Sequence, residues 1–468
     1  MFSVTTAIIA LAILVVAFLI GSITELHMGI MAIVATAIVG PLLFHDTIKQ
    51  VEGGFPLVLF FTLLGVTYLF ALASANGTVN WIVAAGLRLV AGRARLFPFV
   101  MFAISALVTA IGAATPASAA ILMPIALGFN RKNKINPLPM SQAVIQGSTA
   151  GSFSPIGMYG VIVNTVVKRS PGLAALYNPT VTWILVAVIC FLIVLATWFL
   201  HRDAGPSEEE VAATSRDDID DAAVKEALVD EEFGEQQAGA TSEEDLALVR
   251  LNPERTTTLI GLAVMALLVI GAPLVTAAFF GKKVNFDVGL TALAVGAVLT
   301  LMFPKSAKGA VSKISWPTIL LVGGIVTYID MLERHGVIQW LGDLAANLGN
   351  PRISSVIILF IGALVSAYAS TTGTLGALIP LSVPFLVPSD GSTAAINATM
   401  LVAALGISSS TVDCSPFSTN GALGIANGAY QGDYIYRWLL KWSWILIIGT
   451  PLVTWALMIL PPWWGAGS

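Results

Sequence analysis

Residues 408–420 read Ser-Ser-Ser-Thr-Val-Asp-Cys-Ser-Pro-Phe-Ser-Thr-Asn, with apolar runs on both sides long enough together to cross a bilayer. Hydroxyls, one carboxylate and one amide do not belong in hydrocarbon, where each unpaired polar group costs several kcal/mol. Such a stretch survives where it is packed in protein or lines a watery cavity, and an acid inside it is a functional candidate. Asp413 with Ser409, Ser410, Asn420 and unwound carbonyls has the chemistry to ligate Na⁺, or Asp413 can carry a proton. The ordinary alternative is an aspartate held neutral or used as a cap by the neighbouring hydroxyls.

The pair Ser415-Pro416 reads as an N-cap followed by proline at the first helical position. One helix is therefore expected to stop near Ser410 and another to start at Pro416. Three more stretches carry related signals: Ser148, Thr149 and Ser152 before Ser154-Pro155; Thr115-Pro116 with Ser118; and Thr371-Thr372-Gly373-Thr374. Each start would present unpaired N–H groups and about half a positive charge from the helix dipole, which suits an anion. No Lys or Arg falls within 97–129, 141–166, 353–386 or 395–425, so the anion would be held without a basic side chain. Ser118, Thr372, Thr374, Ser152 and Ser418 are the hydroxyls expected to hold a carboxylate, with Ser148 and Thr149 beside Ser409 and Ser410 for the ion. A single Ser in such a list more often bonds back to its own turn or serves close packing. The whole pattern, four breaks in matched places, reads as a transport site.

The elements that must position these residues are membrane helices. The 468 residues are 56% hydrophobic and 11% charged, with a mean hydropathy of +0.86, a balance of a polytopic helical membrane protein. Apolar windows are expected to span near 3–20, 26–44, 55–75, 141–166 and 180–200, then 257–280, 286–303, 317–333, 395–425 and 438–462. The first window lacks a basic leader and a small-residue cleavage site, so it reads as a span. The stretches 97–129 and 353–386 are interrupted midway and too short for two spans each, which fits a re-entrant helical hairpin.

The halves repeat. Val66-Thr67-Tyr68 echoes Val326-Thr327-Tyr328, Ala106-Leu107-Val108 echoes Ala363-Leu364-Val365, and Ser154-Pro155 with Gly160 echoes Ser415-Pro416 with Gly421. The ordered series predicts an N-terminal membrane repeat over 1–201 and a C-terminal one over 256–468. Five spans and a hairpin per half, an odd number of crossings, would make the copies inverted. Between them, 202–255 holds 17 acidic against 5 basic residues, the composition of a solvated linker. Basic residues beside the first hairpin (Arg88, Arg93, Arg95, Arg131, Lys132, Lys134) and the positive-inside rule put that linker in the cytoplasm of a cell (inner) membrane protein. Asp330 and Glu333, three apart near the outer end of a span, are expected in a vestibule. The two cysteines lie in apolar segments and predict no disulfide, and four scattered histidines give no metal-enzyme or catalytic pattern.

Paired hairpins with Thr-Pro-Ala-Ser and Thr-Thr-Gly-Thr tips, together with Ser-Pro-broken helices, resemble the ion transporter superfamily. Within it the chain looks like the malonate and dicarboxylate carriers related to the divalent-anion:sodium symporters. The symporters' Ser-Asn-Thr signature is absent from both tips. The resemblance implies no enzyme and no cofactor beyond Na⁺ or H⁺ as coupling ion. It implies a small dicarboxylate substrate (malonate or a C4 acid), a homodimer in the lipid bilayer, an elevator-like movement and no nucleic-acid partner. A Na⁺/H⁺ antiporter or a citrate- or gluconate-type carrier on the same scaffold is the alternative.

Overall fold

The computed structural model describes residues 3–23, 26–88, 96–133, 135–169, 177–201, 250–272, 275–276, 279, 286–338, 340, 351–368, 371–382, 396–428 and 431–461. The bulk of the acidic segment and the far end of the second hairpin window lie outside the described residues. In the first half the helices are α1 (Val4–Ile23), α2 (Met28–Phe44), α3 (Ile48–Gly53), α4 (Leu57–Ala75) and α5 (Thr78–Arg88). They continue with α6 (Phe97–Ala110), α7 (Thr115–Asn133), α8 (Pro137–Ser152), α9 (Met158–Arg169) and α10 (Pro179–Leu200). The second half has α11 (Pro253–Ala266), α12 (Val288–Met302), α13 (Trp316–Arg334), α14 (Pro351–Tyr368), α15 (Thr371–Ser382), α16 (Ala398–Ser410), α17 (Thr419–Ala426) and α18 (Gly432–Thr454).

Local chemistry sets many of these starts. Asn136, Asn178 and Asn252 each precede a proline at the first helical position, and each amide oxygen accepts from an early backbone N–H, at 3.0 Å from Leu138 in the first case. Asp287 caps α12 through Leu290 N at 2.9 Å, and Asn397 caps α16 through Met400 N at 3.2 Å. The described helices Leu57–Ala75, Pro179–Leu200, Trp316–Arg334 and Gly432–Ile459 are long and apolar enough to cross a bilayer. The protein is all-α and multi-pass.

Helix packing repeats between the halves and interlocks them. The second helix of each half crosses the long helix of the other, α2 on α13 and α12 on α4. Both crossings are glycine contacts: a Cβ on Gly65 would strike the Gly289 carbonyl, and one on Gly324 would strike the Gly29 carbonyl. Backbones approach this closely only where side chains are absent, the usual device of membrane helix pairs. Tyr68 and Tyr328, paired in the repeat, reach the Thr300 hydroxyl at 2.7 Å and the Ala10 carbonyl at 2.8 Å. In the other layer α6 and α10 pack on α8, as α14 and α18 pack on α16.

At the far end of α13, Asp46 accepts from His335 Nε2 at 2.8 Å and Arg334 at 3.3 Å, its own side chain 1% exposed. Phe44 stacks on His335 with centroids 4.4 Å apart. This cluster ties the α2–α3 connection to α13. Asp46→Ala is expected to lower stability by about 1–2 kcal/mol, less than a fully buried pair because both partners are partly exposed. A thermal midpoint in detergent equal to wild type would show the cluster to be inert.

Candidate functional site

Two helix breaks face each other. Residues 153–157 separate α8 from α9, and 411–418 separate α16 from α17. The expected starts at Pro155 and Pro416 need correction: the helices begin later, at Met158 and Thr419. Each Ser-Pro pair forms a turn of its own. Ser154 Oγ accepts Gly157 N at 2.8 Å and donates to the Ala110 carbonyl at 3.0 Å. Ser415 Oγ accepts Phe417 N at 3.3 Å, and the cap of α17 is Ser418, which accepts Gly421 N at 3.2 Å. The reason is steric and common to both breaks. Gly160 lies on the carbonyl of Ser154 and Gly421 on that of Ser415, so the chain must swing past that carbonyl before a helix can propagate.

The hairpin arms bring their tips to these breaks by exchange between halves. The second arm of the first hairpin, α7, packs on α17, and the second arm of the other, α15, packs on α9. At the junction stands Tyr159 in the first turn of α9. It is 2% exposed, and its ring lies edge-on to Phe153 at 5.5 Å. Its hydroxyl is 3.0 Å from Thr115 Oγ1, and Thr371, Thr372 and the Asp413 carboxyl are close enough to interact with it. Asp413 Oδ2 accepts Asn420 Nδ2 at 2.7 Å, and Ser418 Oγ donates to the Asp413 carbonyl at 2.6 Å. Thr371 Oγ1 is also paired with Ser366 Oγ at 2.8 Å. One buried hydroxyl thus bonds to the first hairpin tip, with the first turn of α15 and the acid of the second break beside it.

The other candidates divide into four groups. Ser118 and Ser148 meet at Ser105, at 3.3 and 2.7 Å, which pins α6, α7 and α8 together and leaves them a packing role. Ser410 bonds back to Gly406 O at 2.6 Å within its own turn, as membrane hydroxyls commonly do. Thr149 Oγ1, Ser152 Oγ, Ser409 Oγ and Asn420 Oδ1 are buried with no partner among the described residues. Buried polar atoms are normally satisfied, so these four are the atoms free to meet a ligand. Thr371, Thr372, Gly373 and Thr374 form the buried first turn of α15, while Pro116 is partly and Pro416 fully buried.

Sequence reasoning missed Tyr159, Gln142 and Gln146. Gln146 Nε2 donates to Thr411 O at 2.9 Å and so bonds α8 to the second break. The signal for Tyr159 was present in the repeat. The register that pairs Gly160 with Gly421 also pairs Tyr159 with Asn420, and both side chains turn to Asp413. Asp330 and Glu333 line a cavity of about 470 Å³ with Arg334, Gly53, Val166 and Pro380, between α13 and the elements that carry the site.

Hydroxyls, an amide and a lone carboxyl around helix starts bind and release; they supply neither a nucleophile–base pair nor a metal cluster among the described residues. With the interlocked halves, this is a site built to bind and release a polar ligand inside a multi-pass membrane protein. Residues 4–152 match the family model of the dicarboxylate carrier protein MatC N-terminus, and 275–464 match that of the citrate transporter. Each match covers less than half of the chain, and both models describe carriers. Among solved structures it is similar to the Alcanivorax borkumensis YdaH transporter, at 16% identity and a TM-score of 0.49 over 88% of this chain and 87% of that one. No curated protein matches the chain in sequence.

Proposed function

We propose that the protein takes small dicarboxylates, malonate or C4 acids, across the cell (inner) membrane, driven by Na⁺ or H⁺. The substrate sits between the hairpin tips and the two breaks. Its carboxylates are held by the first-turn N–H groups of α7 and α15 and by Thr372, Thr374 and Ser152. Asp413 and Asn420 hold the coupling ion. The hairpins are re-entrant, the halves inverted and the acidic segment cytoplasmic. The layer carrying the breaks slides, elevator-fashion, against the layer of α2, α4, α12 and α13, through which two copies dimerise. The observation that carries this reading is the convergence of both hairpin tips on Tyr159 and Asp413. The citrate-model match over 275–464 favours a tricarboxylate as the second reading.

The test is radiolabelled malonate and succinate uptake into proteoliposomes, first with an imposed Na⁺ gradient and then with an imposed pH gradient. Uptake under one gradient, lost in a folded Thr372→Trp variant, is the expected result. If neither acid moves while citrate does, the tricarboxylate reading stands; full uptake by Thr372→Trp would remove the hairpin tip from the site.

A further inference from the structure

The tyrosine at the junction has one proton and more than one acceptor around it. Its hydroxyl has one proton to give and can accept from others. The neighbours that compete for that proton are Thr115, Thr371, Thr372 and Asp413, and the whole group is buried. We propose that Tyr159 is a positioning residue that couples the ion to the substrate. Its proton goes to Asp413 when that carboxylate is bare, and to the hairpin-tip threonines when the coupling ion neutralises Asp413. This inference rests on the transport reading above and names the link between its two sites.

The consequence follows from hydroxyl geometry. A bare carboxylate is the strongest acceptor present, so Tyr159 donates to Asp413 and accepts from Thr115 across 3.0 Å. Thr115 has then spent its own hydrogen and turns lone pairs toward the site, which repels a carboxylate. Once an ion neutralises Asp413, Tyr159 donates to Thr115 Oγ1, and the Thr115 hydrogen is freed for the substrate. Thr371 has the same freedom, since either hydroxyl of its 2.8 Å pair with Ser366 Oγ can be the donor. No covalent bond forms or breaks; only hydroxyl hydrogens turn, so the device serves a proton or a metal cation equally. Asn420, bonded to Asp413 Oδ2 at 2.7 Å, keeps the carboxyl in place throughout. The ring of Tyr159 is itself held by Phe153, which lies over Gly406 of α16, so the hydroxyl is fixed between the tips.

The experiment compares wild type with Tyr159→Phe in proteoliposomes. It uses radiolabelled malonate in two modes: exchange with no ion gradient, and accumulation against its own gradient under the ion gradient that drives wild type. The variant is expected to exchange within about threefold of wild type while its accumulation falls to the equilibrium ratio, because coupling and binding are separate free energies. The ion-to-malonate flux ratio should fall with it. Phe153→Leu, which removes the ring that holds Tyr159 edge-on, should behave alike and serves if Tyr159→Phe does not fold. Wild-type accumulation by folded Tyr159→Phe, or by folded Phe153→Leu where Tyr159→Phe does not fold, overturns the inference, as does loss of exchange together with accumulation in Tyr159→Phe, which would make Tyr159 a plain binding or packing residue. Wild-type protein that exchanges none of malonate, succinate or citrate overturns the transport reading instead.

Discussion

Gly421→Ala, and equally Gly160→Ala, is expected to leave no folded protein in the membrane. Both glycines lie on the carbonyl of the serine six residues earlier, and a Cβ at either position would occupy the space of that oxygen. The obstacle is backbone rather than a flexible side chain, so relief requires the break itself to open. Opening it moves Ser418 off its cap in one half and Ser154 off the Ala110 carbonyl in the other. A cost above about 4 kcal/mol is the range of such backbone and network failures. That is a large share of the roughly 5–15 kcal/mol by which a native protein is stable. Gly449→Ala is the control, since a Cβ there meets nothing within 4 Å and alanine is the better helix former. Fluorescence-detected size exclusion of tagged variants reads the outcome. A monodisperse peak for Gly421→Ala at the wild-type level would show that the break tolerates a side chain and that the glycine match between halves is incidental.

Asp413→Ala should abolish gradient-driven uptake, by at least about 100-fold, equivalent to about 2.8 kcal/mol at 1.4 kcal/mol per factor of ten. Asp413 is the only carboxylate in the described part of either break, and its carboxyl is a neighbour of Tyr159 and the partner of Asn420. Removing it deletes the group that can bind a coupling ion and leaves the Asn420 amide unpaired in a buried site, which costs about 1–3 kcal/mol of stability. Asp413→Asn separates the two effects because it keeps the shape while removing the charge. Asn should restore the thermal midpoint lost in Ala without restoring driven uptake. Driven uptake by the Asn variant at the wild-type rate would mean that the charge has no part in coupling.

Much of this was readable from the order of residues. The composition forces a membrane protein because no soluble core could bury so many apolar side chains, and the Asn-Pro and Asp starts of α8, α10, α11 and α12 are local chemistry that any context would respect. The glycines 29, 65, 289 and 324 lie at matched places in the two halves, but no rule of spacing says which one meets which. The Ser-Pro signal correctly announced a break and misplaced the helix start, because capping preference is local whereas the start depends on the carbonyl that a glycine must clear.

The sequence alone determined the class of protein, the breaks and the presence of one acid within them, since burying a polar run in hydrocarbon has few affordable solutions. Tertiary structure decided which hydroxyls matter. Ser105 draws Ser118 and Ser148 into packing, Ser410 folds back on its own turn, and Tyr159, unremarkable as a letter in the chain, becomes the meeting point of four elements. The physical reason is that a hydroxyl has one proton and many possible partners. Its role is set by whichever acceptor the packing of distant helices brings within about 3 Å.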